Sequence, residues 1–254
     1  MEIKTVKVRD LELGRGMPKI CVPITGQTES GVLEQVDLAL KQSPDCIELR
    51  ADWYEDILEG DKMLRLLALV RERLENRVLL FTFRSAAEGG KQEITGDDYR
   101  NLCIKACQSG FIDMLDVEAF AQEGLLQELS CVANDQGVYV VASNHDFSGT
   151  PEETEILRRL WHMDQQGADV LKIAVTPLRE RDVLTLFSAT LRYYEDGGGK
   201  PVITMSMGDM GIISRLSGEL FGSALTFATA GAASAPGQLP VEEVRRALAI
   251  LHRE

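Results

Sequence analysis

The stretch VYVVASNHDFSGTPEETEILRRLWHMDQQGADVLKIAV, residues 138–175, decides the fold. It opens on an apolar, β-branched run, VYVVASN (138–144), with the length and composition of a strand. Thr150-Pro151 then signals a helix start, and the amphipathic EETEILRRLWHMDQQG is long enough to form that helix. VLKIAV (170–175) ends the unit as a second strand. A strand, a helix and a strand in this order read as a parallel pair with a right-handed crossover.

The same beat repeats on both sides. Upstream lie KICVPI (19–24), CIELR (46–50), RVLLFTFR (77–84) and DMLDVE (113–118); downstream lie VITMSM (202–207) and ALTFAT (224–229). Asp97 marks a helix start before YRNLCIKACQ, and Pro240 another before VEEVRRALAILHR. Eight strand-then-helix units without a linker predict an α/β chain closed as a (β/α)8 TIM barrel, a single domain over residues 1–254. The alternative is an open, doubly wound sheet, but ITGQTESG after the first barrel strand is not the GxGxxG turn such a sheet usually carries. The alternating MEIKTVKVRDLELG at the start reads as a β-hairpin, turning near Gly14 and lying within residues 1–17, that closes the barrel bottom.

Composition narrows the function. With 27 basic and 40 acidic residues the net charge is −13, which argues against nucleic-acid or anionic-membrane partners and requires a local basic pocket for any anionic ligand. The five cysteines form no CxxC pair or zinc-spaced cluster, so reduced thiols and a cytoplasmic location are expected. No run approaches the ~18 apolar residues of a membrane span, and the N-terminus lacks the apolar core of a signal peptide.

Strands of a barrel are buried on both faces, so ionisable residues within them must be paired or face the cleft. With a side-chain period of two, Glu48 and Arg50 share a face, as do Thr82 and Arg84, and Asp116 and Glu118. Ile47, Leu49, Phe81 and Phe83 take the opposite face and are expected against the helices, which sends the charged set into the barrel mouth. Lys172 is the sharpest case: it is mid-strand, shares its face with Val170 and Ala174, and has no acid within its run. Desolvation disfavours an ammonium and frees the amine as a nucleophile toward a carbonyl. The alternative is a buried lysine paired with Asp116 or Glu118.

Of three histidines, His162 and His252 fall on amphipathic helices, whereas His145 directly follows a strand, where barrel enzymes place acid/base groups. A loop histidine capping the backbone is the plainer reading. The dispersed histidines argue against a His-based metal site, and a carboxylate-only magnesium site of Glu48, Asp116 and Glu118 would sit beside several cations. Glu88, before Gly89 and Gly90 on a βα loop, is either a site residue or a solvated acid. Met205 and Met207 share a face and either wall a pocket or simply pack. Arg215 lies on a short helix near the mouth, placed to grip a carboxylate bidentately unless it is a surface residue. The small, Gly/Pro-rich segment 230–239 has the composition of a lid loop or of an inert connector.

Together, ELR (48–50), TFRS with EGG (82–90), SNHDF (143–147), LKIA (171–174), MSMG with ISR (205–215) and SAPGQ (234–238) resemble the type I 3-dehydroquinate dehydratases of the shikimate pathway over almost the whole chain. The resemblance implies that Lys172 forms a Schiff base with the ring ketone. His145 then serves as base and acid in a syn elimination, with Glu88 orienting it. It assigns Arg215, Ser234 and Gln238 to the substrate carboxylate, and Glu48, Arg50 and Arg84 to the hydroxyl and ketone side. Met205, Met207 and Phe227 become the apolar wall. The implied partners are the small molecule 3-dehydroquinate and a second copy of the chain in a homodimer; no cofactor and no metal are implied. Pro23 and Asp209 depart from the family pattern. Two rival readings are a Schiff-base aldolase acting on phosphorylated sugars, suited by Gly-rich turns after the last two strands, and a non-catalytic anion-binding barrel.

Overall fold

A computed structural model describes residues 4–231 and 233–252; residues 1–3 of the expected hairpin, residue 232 of the expected lid and residues 253–254 fall outside them. β1 (Val6–Val8) and β2 (Leu11–Leu13) form an antiparallel hairpin. Its turn is at Arg9-Asp10, with Arg9 at φ +52°, rather than near Gly14. The alternation continues through Leu13, so a two-residue turn is what keeps Val8 opposite Leu11.

Eight parallel strands follow: β3 (Lys19–Ile24), β4 (Cys46–Arg50), β5 (Val78–Thr82), β6 (Met114–Glu118), β7 (Tyr139–Asp146), β8 (Val170–Val175), β9 (Val202–Ser206) and β10 (Leu225–Phe227). From β3 to β9 each pairs with the next in sequence, and β10 pairs with β3. At the β9/β10 seam, Ala224 N donates to Val202 O at 2.8 Å, and Thr204 N donates to Ser223 Oγ at 3.1 Å, which completes the (β/α)8 TIM barrel. The outer ring is α1 (Glu29–Lys41), α2 (Gly60–Leu74), α3 (Gly96–Gln108), α4 (Leu125–Asp135), α5 (Glu153–Gln165), α6 (Glu180–Glu195), the short α7 (Ile212–Leu216) and α8 (Gly218–Phe221), and α9 (Val241–Leu251). None of these is long and apolar enough to cross a membrane. The cap of α3 is Thr95, whose hydroxyl accepts from Asp98 N at 3.1 Å, so Asp97 lies inside the first turn.

Alternation splits the apolar residues into two layers. Ile47, Leu49, Phe81 and Phe83 pack outward among helix residues such as Val36, Leu66 and Leu67. Inside the barrel, Cys21, Cys46, Val78, Leu80, Met114, Val141 and Val170 form a separate cluster onto which Val8, Leu11 and Leu13 of the hairpin are packed. The hairpin therefore plugs the N-terminal end of the barrel. Arg9 ties it down through Asp113 at 2.5 Å, at the foot of β6. What remains open is the C-terminal end, where the charged residues lie.

Candidate active site

One cavity opens at that end, with an empty volume of about 410 Å³ including the space at its mouth. Glu48 and Arg50 reach it from β4, Thr82 and Arg84 from the end of β5, His145 from β7 and Lys172 from β8. Met205, Met207, Arg215 and Phe227 wall the other side, and Ser234, Ala235 and Gln238 cover it from the loop after β10. Eleven of the twelve residues singled out from the sequence thus line one space; Glu88 stands directly behind His145.

Lys172 is 4% exposed and is not alone. Its Nζ donates to Asp116 Oδ2 at 3.0 Å, lies 3.7 Å from Glu48 Oε1 and sits 4.6 Å from the centre of the Phe227 ring. The buried ion pair and the cavity position, set out above as alternatives, coexist. The strand's own run holds no acid, but the barrel brings β4 and β6 across the interior. Burial alone would raise the Asp116 carboxyl, yet Arg84 and Lys172 beside it hold it down at about 2.

His145 is also buried; loss of solvent, reinforced by Arg84, Lys172 and Arg50, holds its imidazole well below the ordinary value. Its Nδ1 is 2.9 Å from Glu88 Oε2, and the same oxygen accepts from the His145 backbone N–H at 3.0 Å and from Arg84 Nη1 at 3.3 Å. A carboxylate surrounded by donors fixes the proton on Nδ1, which leaves Nε2 unprotonated. Burial pushes Glu88 up to about 7 despite the opposing pull of Arg84. The loop carrying Glu88 needs both of its glycines. Gly89 has φ +79° under the Phe147 ring, and a Cβ on Gly90 would lie 1.8 Å from the Arg84 carbonyl oxygen.

The arginines divide into two kinds. Arg84 gives Nη1 to Glu88, to Glu118 at 3.1 Å and to Ser143 at 3.0 Å, and Nη2 to Asp116 at 2.6 Å. Arg50 is held bidentately by Asp52, both contacts at 2.8 Å. Arg215 is 2% exposed and has no carboxylate partner among the described residues. It gives Nη2 to the Pro236 carbonyl at 2.9 Å, its Nε has no partner, and burial lowers it to about 10. A desolvated guanidinium without a countercharge beside a cavity has the chemistry to receive an anion. In the covering loop, Ser234 N donates to Gln238 Oε1 at 2.9 Å and Gln238 Nε2 to Ser234 Oγ at 3.0 Å, so the two side chains form one unit.

Asp52, Ser143 and Asn144 were not singled out as site residues from the sequence. Asp52 lies in the 3-10 turn Ala51–Trp53 directly after β4, and it also accepts from Arg84 N at 3.3 Å and Lys91 N at 3.0 Å. Asp209 is exposed and does not line the cavity, while Pro23 lines a separate one beside Leu38 and Gly231. All five cysteines are free, and Cys21 and Cys46 face each other across β3 and β4 beneath the site.

A family model described as Type I 3-dehydroquinase matches residues 20–254. The 3-dehydroquinate dehydratase of Bacillus subtilis is 42% identical over 253 residues, covering 100% of this chain and 98% of the relative. That of Salmonella typhimurium is 44% identical over 252 residues, covering 99% and 100%. Among solved structures, the type I 3-dehydroquinate dehydratase of Clostridium difficile with covalently modified comenic acid superposes with a TM-score of 0.95 at 40% identity, over 98% of each chain. A 3-hexulose-6-phosphate synthase superposes with a TM-score of 0.59 at 15% identity, covering 90% of this chain and 99% of the other, a likeness of fold alone.

Proposed function

The chain belongs to the type I 3-dehydroquinase family, and from that premise we propose how its own residues carry out the dehydration of 3-dehydroquinate in the shikimate pathway. The observation that carries the reading is that Lys172 and His145, on adjacent strands and with Glu88 behind the histidine, open onto one cavity that also holds Arg215, which has no carboxylate partner among the described residues.

The substrate carboxylate is received by Arg215, with the Ser234–Gln238 unit beside it. This turns the ring ketone toward Lys172. The lysine ammonium gives up a proton and the free amine adds to the ketone; that proton returns to the adduct's hydroxyl, which leaves as water and gives an iminium that withdraws electrons from the neighbouring C–H bond. Asp116, ionised throughout the neutral range, supplies the countercharge first to the ammonium and then to the iminium. His145 Nε2 takes the C–H proton, with Glu88 supporting the imidazolium that forms, and the electron pair moves into an enamine. The same imidazolium returns its proton to the departing hydroxyl, which leaves as water on the face from which the proton was taken. Hydrolysis of the product imine releases 3-dehydroshikimate and restores Lys172. The lysine itself is the electron sink, so these steps call for no cofactor and no metal.

Glu48, Arg50 and Arg84 fall to the ring hydroxyls and the ketone, and Met205, Met207 and Phe227 to the apolar wall, in keeping with a small polar ligand fixed by a few placed groups. The guanidinium groups of Arg50 and Arg84 are already engaged by carboxylates, which favours ordering the site as much as direct contact. A Schiff-base aldolase acting on sugar phosphates fits less well, because the N–H of Gly208 after β9 is given to the Pro236 carbonyl at 3.3 Å rather than left open for a phosphate. A cytoplasmic homodimer that engages neither nucleic acid nor membrane completes the proposal; the net charge of −13 supports the last part. The acid/base role is tested by His145→Ala, which should still form the borohydride-reducible imine while turnover falls by about three orders of magnitude. Full turnover in that variant would remove His145 from the mechanism.

A further inference from the structure

We propose that Asn144 and Arg159, neither of which lines the cavity, are positioning residues for the His145–Glu88 pair: Arg159 fixes the Asn144 carboxamide so that its NH2 group clamps the Glu88 carboxylate in the plane that leaves His145 Nε2 free as the base. The proposal rests on the roles given above to His145 and Glu88.

On β7, Ser143 and His145 point into the barrel, and Asn144 between them points outward, on the side where Val140 and Ala142 pack among the helices. A carboxamide there requires a reason. Its Nδ2 donates to Glu88 Oε1 at 3.2 Å, and its Oδ1 accepts from Arg159 Nη1 at 2.8 Å. A guanidinium has donors and no acceptor, so it selects the carbonyl end of the carboxamide and obliges the NH2 end to face Glu88. Arg159 is itself held on α5 by Glu155 at 2.8 Å, one turn earlier, and reaches Asp146 at 3.2 Å. The chain of contacts thus runs from an outer helix through the sheet to the acid/base pair.

The two oxygens of Glu88 are loaded unequally. Oε2 receives the His145 backbone N–H, His145 Nδ1 and Arg84 Nη1. Oε1 receives Asn144. Without that contact every donor pulls on one oxygen, and the carboxylate can rotate about its last torsion away from the imidazole. Asn144 also favours the ionised carboxylate, as does Arg84 at the end of β5. Asp116 and Glu118 on β6 oppose ionisation. Glu93 and Tyr99 line a separate cavity on the far side of Glu88, and Lys172 of β8 acts on the histidine half of the pair.

The test is kcat, KM and the rate of borohydride-trapped imine formation across about pH 6 to 9 for Arg159→Met, Arg159→Lys, Asn144→Ala, the Met/Ala double variant and Glu88→Gln. Arg159→Met and Asn144→Ala should move the acid limb of kcat up by about one pH unit, a roughly tenfold loss below the limb that disappears at high pH. KM and imine formation should stay within about twofold, because neither residue faces the ligand. The double variant should be no worse than Asn144→Ala, and Arg159→Lys should recover part of the shift. Asn144→Ala retains the Arg159 pairs with Glu155 and Asp146, so it carries the test if Arg159→Met fails to fold. Profiles superimposable on the parent chain, or kcat and imine formation falling in parallel at every pH, would overturn the proposal. A limb lost in Glu88→Gln but unmoved in the other variants rejects this proposal alone; a limb retained in Glu88→Gln rejects the reading of the pair on which it rests.

Discussion

A carboxyl group that changes charge near neutrality, in contact with the base, should govern the pH dependence. Burial raises Glu88 to about 7, so it is ionised above that pH and protonated below it. Only the ionised form can hold the proton on His145 Nδ1, while His145 itself stays neutral because burial keeps it well below its ordinary value. The turnover rate should therefore fall as pH drops through about 7, and titration of kcat should show that acid limb vanishing in Glu88→Gln. Arg215 gives the second prediction at this scale. If Arg215 receives the substrate carboxylate as proposed, Arg215→Gln should raise KM about a hundredfold, with a smaller effect on kcat. The melting temperature should hold, since a buried charge without a carboxylate partner is what is lost. Lys172 and His145 were legible in the sequence because an ionisable group within or just after a buried strand is costly and so conspicuous, whereas Arg215 was legible only from its place on a short helix near the mouth. The Lys172–Asp116 contact was legible only as one of two possible pairings, with Asp116 or with Glu118, since 56 residues separate the partners and the register across the barrel interior is invisible to periodicity.

Among the elements, the loop after β5 is the most tightly specified. Its neck is pinned by Asp52 through Arg84 N and Lys91 N, and its tip by Phe147 over Gly89. A methyl group on Gly90 would meet the Arg84 carbonyl, so Gly90→Ala must shift the loop and carry Glu88 with it. Steady-state kinetics should show kcat reduced about a hundredfold, the scale of a misplacement near 1 Å, with KM little changed. Unchanged kcat would mean that Glu88 acts from a position the loop does not set. The strands were readable because buried β-branched runs between helices have few other interpretations. Element ends were less so: Thr95 rather than Asp97 caps α3 because a threonine hydroxyl reaches the third residue's N–H, and the hairpin turns four residues before Gly14 because its register keeps four apolar residues on one face.

At the scale of the whole molecule, two apolar layers and a hairpin plug leave one end of the barrel for chemistry, and the net charge of −13 is reconciled with an anionic substrate by gathering Arg50, Arg84, Lys172 and Arg215 around the cavity there. Closure was legible from the count of strand-helix units; the sealing of the seam by Ser223 was not, because a serine hydroxyl replacing a ladder hydrogen bond leaves no periodic trace. Under the proposed mechanism, Lys172 alone among the lysines of the chain becomes the covalent partner of the substrate. Borohydride reduction in the presence of 3-dehydroquinate, followed by peptide mapping of the mass adduct, tests it most directly. The account predicts a single adduct on Lys172, absent from Lys172→Ala; an adduct at another lysine, or turnover without any trappable adduct, would contradict it.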